Sequence, residues 1–344
     1  MTDTDTDTDT GTGTATGTLA VLHSLLDAGL DRHPPEYRDG LSNHLPMALQ
    51  ALQALGAGEA RMRQFYAVYA RRFEGLSPPE PAAPVDDWLA LRGRPQGFAT
   101  LRASFERALA RDGETAVLRR VLPALLPGVA AAAFHGAIRT AHALQAGHRR
   151  ELAAALAYWA WRWQPLPAPP AAAEALPFES WSARLLGEAA DWRSQAPLIS
   201  GRIEEAAATP CYRALGAALR PTPELLRRLS GLAAERYLAG RNFTVLHMIT
   251  GLRALRVLLP LLDGRVEELQ AMLVPVFTAA YLAAGVRPAS AGLAPPQAPA
   301  WPAVVAAAIA SDDEHVIKLV HACREEAAVY GAGPYLEVAA LALG

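Results

Sequence analysis

Nine histidines and a lone lysine are the residues of this 344-residue chain whose types and settings suggest chemistry. His44 stands in LSNHLPMALQAL, in the first turn of an expected helix. His135 and His142 are seven apart in AAAFHGAIRTAHAL, two helical turns, and so share one face. His247 is flanked by Val, Leu, Met and Ile in FTVLHMITGL. His315, Lys318 and His321 follow one another in SDDEHVIKLVHACREE, where His315 and Lys318 are three apart and adjacent on the helix surface. A single imidazole on an apolar face is ordinarily a hydrogen-bonded core residue. Four such segments in one chain are different, because several buried imidazoles are costly unless each finds a partner, and a divalent metal satisfies them together. Neutral imidazole suits iron, zinc, copper and nickel.

Lys318 is the one lysine among 32 basic residues, in an Ala-, Arg-, Gly- and Pro-rich composition typical of a GC-rich genome. Where a generic cation suffices, such chains use arginine, so a retained lysine suits a role that needs a neutral amine. An ammonium beside a metal is repelled. An amine whose pKa is lowered by burial can add CO₂ and present a carbamate oxygen, which supplies the negative charge that an all-histidine site lacks. The plainer alternative is a surface lysine paired with an acidic neighbour in its own helix.

Other chemistries lack their signatures. No ExxH pair marks a di-iron carboxylate bundle, no HExxH marks a metalloprotease, and no GxSxG elbow, P-loop or dinucleotide fingerprint is present. NADPH therefore enters only as an external reductant without a binding motif. Cys211 and Cys323 form no CxxC pattern, and Cys323 and His321, two apart on a helix, point in different directions. Tyr158, Trp159, Trp161, Trp163, Phe178, Trp181 and Trp192 gather in a sparse aromatic inventory. They are expected either to line an aromatic pocket or to serve as helix–helix core.

The elements that must position these residues read as helices almost throughout. The chain is 51% hydrophobic and 19% charged with a net charge of −2, which advertises neither a nucleic-acid partner nor an acidic tail. No signal peptide and no apolar run of about 20 residues free of proline is evident, so the expected location is the cytoplasm, with no membrane partner. Residues 1–18, rich in Thr, Asp and Gly, read as a disordered tail. Helices are expected near 19–29, 42–56, 58–74, 98–111, 114–124, 128–145, 149–163, 178–190, 195–207, 223–239, 242–261, 265–284, 302–310, 312–329 and 334–342. Pro-rich stretches at 77–84, 165–170 and 288–302 read as surface loops. The expectation is an all-α protein, a large single-domain helical bundle spanning 19–344.

Taken together, SNHLPMALQALQALGA, the FHGAIRTAHAL helix, LHMITGLRAL and the SDDEHVIKLVHA helix resemble the questin oxidase-like family over essentially the whole chain after the tail. The resemblance implies an O₂-dependent oxygenase, a dioxygenase or Baeyer–Villiger-type enzyme, acting on a small aromatic or quinone-like substrate. It implies non-heme Fe(II) held by His44, His135, His247, His315 and a carboxylated Lys318, with His142 and His321 lying behind the ligands or standing in for one of them. Two other readings compete with it. One is a zinc or nickel hydrolase built on a similar lysine carbamate; the other is a non-catalytic helical protein whose histidines are core.

Overall fold

The computed structural model describes residues 10–220, 222–262, 266–286 and 298–344. Helix α1 (Thr10–Arg32) leads into a short antiparallel hairpin, β1 (Glu36–Tyr37) and β2 (Leu41–Ser42), then α2 (Leu45–Leu55) and α3 (Glu59–Ala70). Next come α4 (Phe98–Asp112), α5 (Glu114–Leu125), α6 (His135–Ala146), α7 (Arg149–Trp161), α8 (Phe178–Asp191) and α9 (Ile199–Ala207). The chain continues through α10 (Pro210–Leu215), α11 (Leu225–Gly240), α12 (Phe243–Leu258), α13 (Val266–Ala284), α14 (Trp301–Ala310), α15 (Glu314–Tyr330) and α16 (Tyr335–Leu341). The fold is all-α, and one continuous apolar core runs from Val21 to Ala339.

Three local differences from the sequence expectation have physical causes. The first helix starts at Thr10, so residues 10–18 of the expected disordered stretch continue the apolar helix that follows them, while residues 1–9 lie outside the described residues. The short α10 was not expected. Thr209 caps it by accepting the Tyr212 N–H at 3.1 Å, and Pro210 sits at its first position. The expected helix 128–145 is broken, because Ala132, Ala133 and Phe134 take left-handed backbone angles, with φ of 48°, 55° and 67°. Loops at 77–84 and 165–170 are as expected, and residues 288–297 of the third Pro-rich stretch lie outside the described residues.

Four helices frame the centre: α2, α6, α12 and α15, with α2 packed on α6, α6 on α12, α12 on α15, and α15 back on α2. Each carries one of the candidate histidines at or near its N-terminus, so four helix beginnings meet at one end of the core. Local chemistry fixes these starts. Asn242 caps α12 by accepting from Thr244 and Val245 N–H at 2.9 and 3.1 Å, and Asp313 caps α15 through His315 and Val316 N–H at 2.8 and 3.3 Å. Proline in the first turn begins α2, with His44 at its cap position. Among the described residues one helical stretch, Phe243–Leu261, is long and apolar enough to cross a membrane; it is 72% buried inside the protein and carries His247.

Candidate metal centre

His44, His135, His247 and His315 come from sequence positions up to 271 apart and close into a ring of imidazoles. Their centroids are 4.6 Å apart for His44 and His135, 4.9 Å for His135 and His247, 5.6 Å for His247 and His315, and 4.8 Å for His315 and His44. One ligating atom each from His44, His135 and His247 fits within 4.8 Å, and the same holds for His44, Glu314 and His315. The first three histidines are buried and His315 is partly exposed.

Hydrogen bonding settles which nitrogens are free. The Nδ1 of His135 donates to the carbonyl of Ala132, and the Nδ1 of His247 donates to the carbonyl of Phe243 at 2.8 Å. A carbonyl only accepts, so both rings carry their proton on Nδ1 and present a bare Nε2. The break at 132–134 is what aims the Ala132 carbonyl at the His135 ring. Left-handed alanine costs about 1–2 kcal/mol per residue, and packing holds it. The Phe134 ring stacks on Phe277 at 5.6 Å and lies against Gly251, where a Cβ would come within 2.9 Å of it.

The Nε2 atoms of His44 and His135 face each other at 2.6 Å. With no cation present, His44 must donate from Nε2, which leaves its Nδ1 a bare acceptor. That Nδ1 is buried, has no hydrogen-bond partner, and lies 3.9 Å from a carboxylate oxygen of Glu314. Two lone-pair atoms in that relation repel. If His44 and His135 held a cation through their Nε2 lone pairs, the assignment would reverse: His44 would carry its proton on Nδ1, directed at Glu314, in the manner of histidine ligands oriented by a carboxylate. The donor set and the orphaned nitrogen therefore fit a metal ion better than they fit a metal-free core.

Glu314 is a member of the candidate site that sequence reasoning missed. It is 4% exposed, 3.7 Å from His315 Nδ1, and is gripped by Arg72 through two bonds of 2.5 and 2.9 Å. Arg72 also donates to the Tyr37 hydroxyl at 3.2 Å, and the Tyr69 hydroxyl accepts the backbone N–H of His44 at 3.1 Å. In sequence Glu314 reads only as part of an acidic helix start.

Lys318 lies one turn beyond His315 and is 1% exposed. Among the described residues no carboxylate is within ion-pair distance of it. Burial pushes its amine down to about 7, against the smaller opposing pull of Glu314 and Asp313. Burial likewise holds His44, His135 and His247 well below the ordinary imidazole range, and a charge on Lys318 would lower all four ring histidines further. Asp313 stays ionised at about 2, held down chiefly by its hydrogen bonding to His315.

His142 and His321 do not join this ring. They pair with each other one layer deeper, centroids 5.3 Å apart, with His142 Nδ1 donating to Gln50 Oε1 at 2.5 Å. Both ring nitrogens of His321 lack a hydrogen-bond partner, although Glu325 lies 3.4 Å from its Nε2, close enough for attraction but out of line. Glu325 in turn accepts from Arg253 Nε at 2.5 Å and from Gln145 Nε2 at 2.9 Å.

Above the ring opens a cavity of about 320 Å³, whose floor includes His44, His135, His247 and His315. Its walls are largely apolar, with Leu41, Leu198, Ile199 and Phe243 among them. The expected aromatic cluster is not part of it. Trp159 and Trp181 are buried core, Trp163 packs under Arg92, and Tyr158 lies behind the wall, hydrogen-bonded to Ser42 at 2.6 Å. Those aromatics serve helix packing, with Trp159 against Gly136 of α6, Trp161 against Phe98 of α4 and Trp181 donating to the Leu215 carbonyl of α10, and the cavity takes its rings from Tyr37 and Phe243 instead.

Residues 41–209 match the family model described as Questin oxidase-like. The matched stretch contains His44, His135 and His142; His247, His315 and Lys318 lie beyond it. No curated protein matches the chain.

Proposed function

We propose that this protein is a non-heme iron oxygenase acting on a small aromatic, quinone-like substrate, with His44, His135, His247, His315 and a carbamate on Lys318 holding Fe(II). The observation that carries this reading is the closed ring of four imidazoles, two of them with Nε2 atoms 2.6 Å apart, at the floor of an apolar cavity. The match of residues 41–209 to the Questin oxidase-like family model supports the oxidative character of the chemistry. Bound iron would supply the one-electron chemistry that O₂ requires and that no side chain in the cavity provides.

The chain's own residues do the rest. Burial keeps the histidines neutral, so their lone pairs are open to a metal at neutral pH. The Ala132 and Phe243 carbonyls and the Glu314 carboxylate orient three of the four rings. Lys318, with its amine near neutrality, forms an N–C bond to CO₂ and releases one proton, leaving a single negative charge beside the histidines. The four helix N-termini that meet here favour that anion. Leu41, Leu198, Ile199 and Phe243 pack a planar ring and exclude water, and Ala132 and Ala133 leave room above His135.

The test is metal content per chain by mass spectrometry, on protein purified without an affinity tag or added metal. Near-stoichiometric iron is expected, together with O₂ uptake on adding quinones or polyphenols. Near-stoichiometric zinc that iron cannot replace points to hydrolysis instead. Metal-free protein that also refuses iron under anaerobic reconstitution leaves the histidines as core residues, and the proposal falls.

A further inference from the structure

The cavity above the histidine ring is amphipathic in one direction only. Among its lining residues there is no Asp or Glu, yet two arginines reach it, Arg162 and Arg202. Arg162 is balanced: its Nε lies 3.3 Å from Glu36, a carboxylate that also accepts the Tyr158 hydroxyl at 2.9 Å. Arg202 is not. Its Nε and Nη2 donate to the backbone carbonyls of Ala196 and Pro197 at 2.9 and 3.1 Å, which fixes the plane of the guanidinium. Its Nη1 has no partner among the described residues, and no carboxylate pairs with it there. Ser42 and Ser200 hydroxyls line the same cavity.

An immobilised guanidinium with one free edge, set in an apolar wall and left without a counter-ion, matches an oxyanion on the ligand. We infer that the substrate is an anionic aromatic, a ring system carrying a carboxylate that Arg202 receives while the ring packs against Phe243 and Leu198 above the histidines. The inference rests on the oxygenase reading for the word substrate, but the binding itself needs neither iron nor turnover. It assigns Arg202 as the residue that sets substrate charge, and Phe243, 53% exposed beside His247 and His315, as the platform for the ring.

The experiment is a calorimetric titration of the full-length protein under argon with two probes of nearly equal shape, anthraquinone-2-carboxylate and anthraquinone-2-carboxamide. It is run on protein as purified and again after chelation, because a carboxylate could also bind a metal directly. The expected result is about tenfold to a hundredfold tighter binding of the carboxylate, the range of one charge-assisted hydrogen bond. The preference should persist after chelation, fall to near parity in Arg202→Gln, and return in part in Arg202→Lys. Equal affinities in the unmodified protein overturn the inference without any variant. So does a preference that vanishes with the metal, or one that Arg202→Gln leaves intact. A preference that survives in protein unable to bind iron keeps the anion site while removing the oxygenase reading, so the two failures are distinguishable.

Discussion

At Lys318 burial and chemistry pull against each other. A buried amine with no carboxylate in ion-pair range among the described residues costs stability, and nothing in packing alone explains its presence at 1% exposure. Lys318→Met keeps the stem volume and removes the polar atom. We expect its unfolding free energy to be unchanged or raised, by up to about 1–3 kcal/mol of recovered desolvation, with the melting temperature following, while iron affinity falls at least about tenfold if the proposed lysine carbamate is a ligand. Thermal melts of the metal-free protein and an iron titration check the two directions separately; a lower melting temperature with unchanged iron binding would make Lys318 a structural residue only. This position was legible in the sequence because every other generic cation is arginine, and the four ring histidines were legible because each stands among apolar neighbours. Glu314 was not. A carboxylate in SDDEH is what a helix start ordinarily carries, and its burial is decided by Arg72, 242 residues away. Arg202 was equally silent, since one arginine among many acquires meaning only from the missing carboxylates around it.

At the scale of elements, the site depends on where four helices begin. The partial positive charge at each N-terminus opposes protonation of the nearby imidazoles and favours an anion among them. Three of the starts are written locally, in Asn242, in Asp313 and in the Asn43–His44–Leu45–Pro46 sequence. The fourth, at His135, is not, because PGVAAAAF suits an unbroken helix and the interruption is imposed by distant contacts of Phe134 with Gly251 and Phe277. That is why nearly all helices could be read from periodicity while this break could not. Close approach holds α6 as well: a Cβ on Gly136 would lie 2.6 Å from Cγ of Trp159. Gly136→Ala should therefore cost about 1–3 kcal/mol through overpacking and weaken metal binding by shifting His135. Gly187→Ala is the matched control, since the added methyl there meets nothing within 4 Å in the middle of α8, and it should stabilise by about 0.4–1 kcal/mol. Urea unfolding of the two variants gives opposite signs if the contact at Trp159 is what fixes α6; two substitutions of equal effect would refute it.

On the scale of the whole molecule, the core is unusual in holding a column of polar side chains along the axis of α2, α6, α12 and α15. The histidine ring lies at one end, Lys318 in the middle, and the His142–His321 pair with Gln50, Glu325 and Arg253 beyond. The apolar core around the column makes every protonation inside it expensive. Burial, reinforced by Arg253, takes His321 down to about 4 and His142 well below its ordinary value. Folded and unfolded chains then bind different numbers of protons. Above about 6.5 both states leave these rings neutral, and the full stability is present. As pH falls below that value the unfolded chain takes up protons that the folded chain refuses, so stability declines until pH reaches the folded-state value near 4 for His321. Each excluded proton contributes a slope of about 1.4 kcal/mol per pH unit, so this pair alone gives nearly twice that. Metal-free protein should therefore lose urea resistance steeply between pH 6.5 and pH 5 and little between pH 8 and pH 7 on account of these rings. Replacing the pair, His142→Leu with His321→Leu, should make the acid side less steep, leaving the slope that the four ring histidines contribute, if the double variant still folds to the same circular-dichroism spectrum. Urea midpoints across pH 5 to 8 for both proteins decide the matter. An unmodified protein whose midpoint is level across that range would mean that the column admits protons freely, and that the low dielectric invoked for the histidine ring above it is wrong as well.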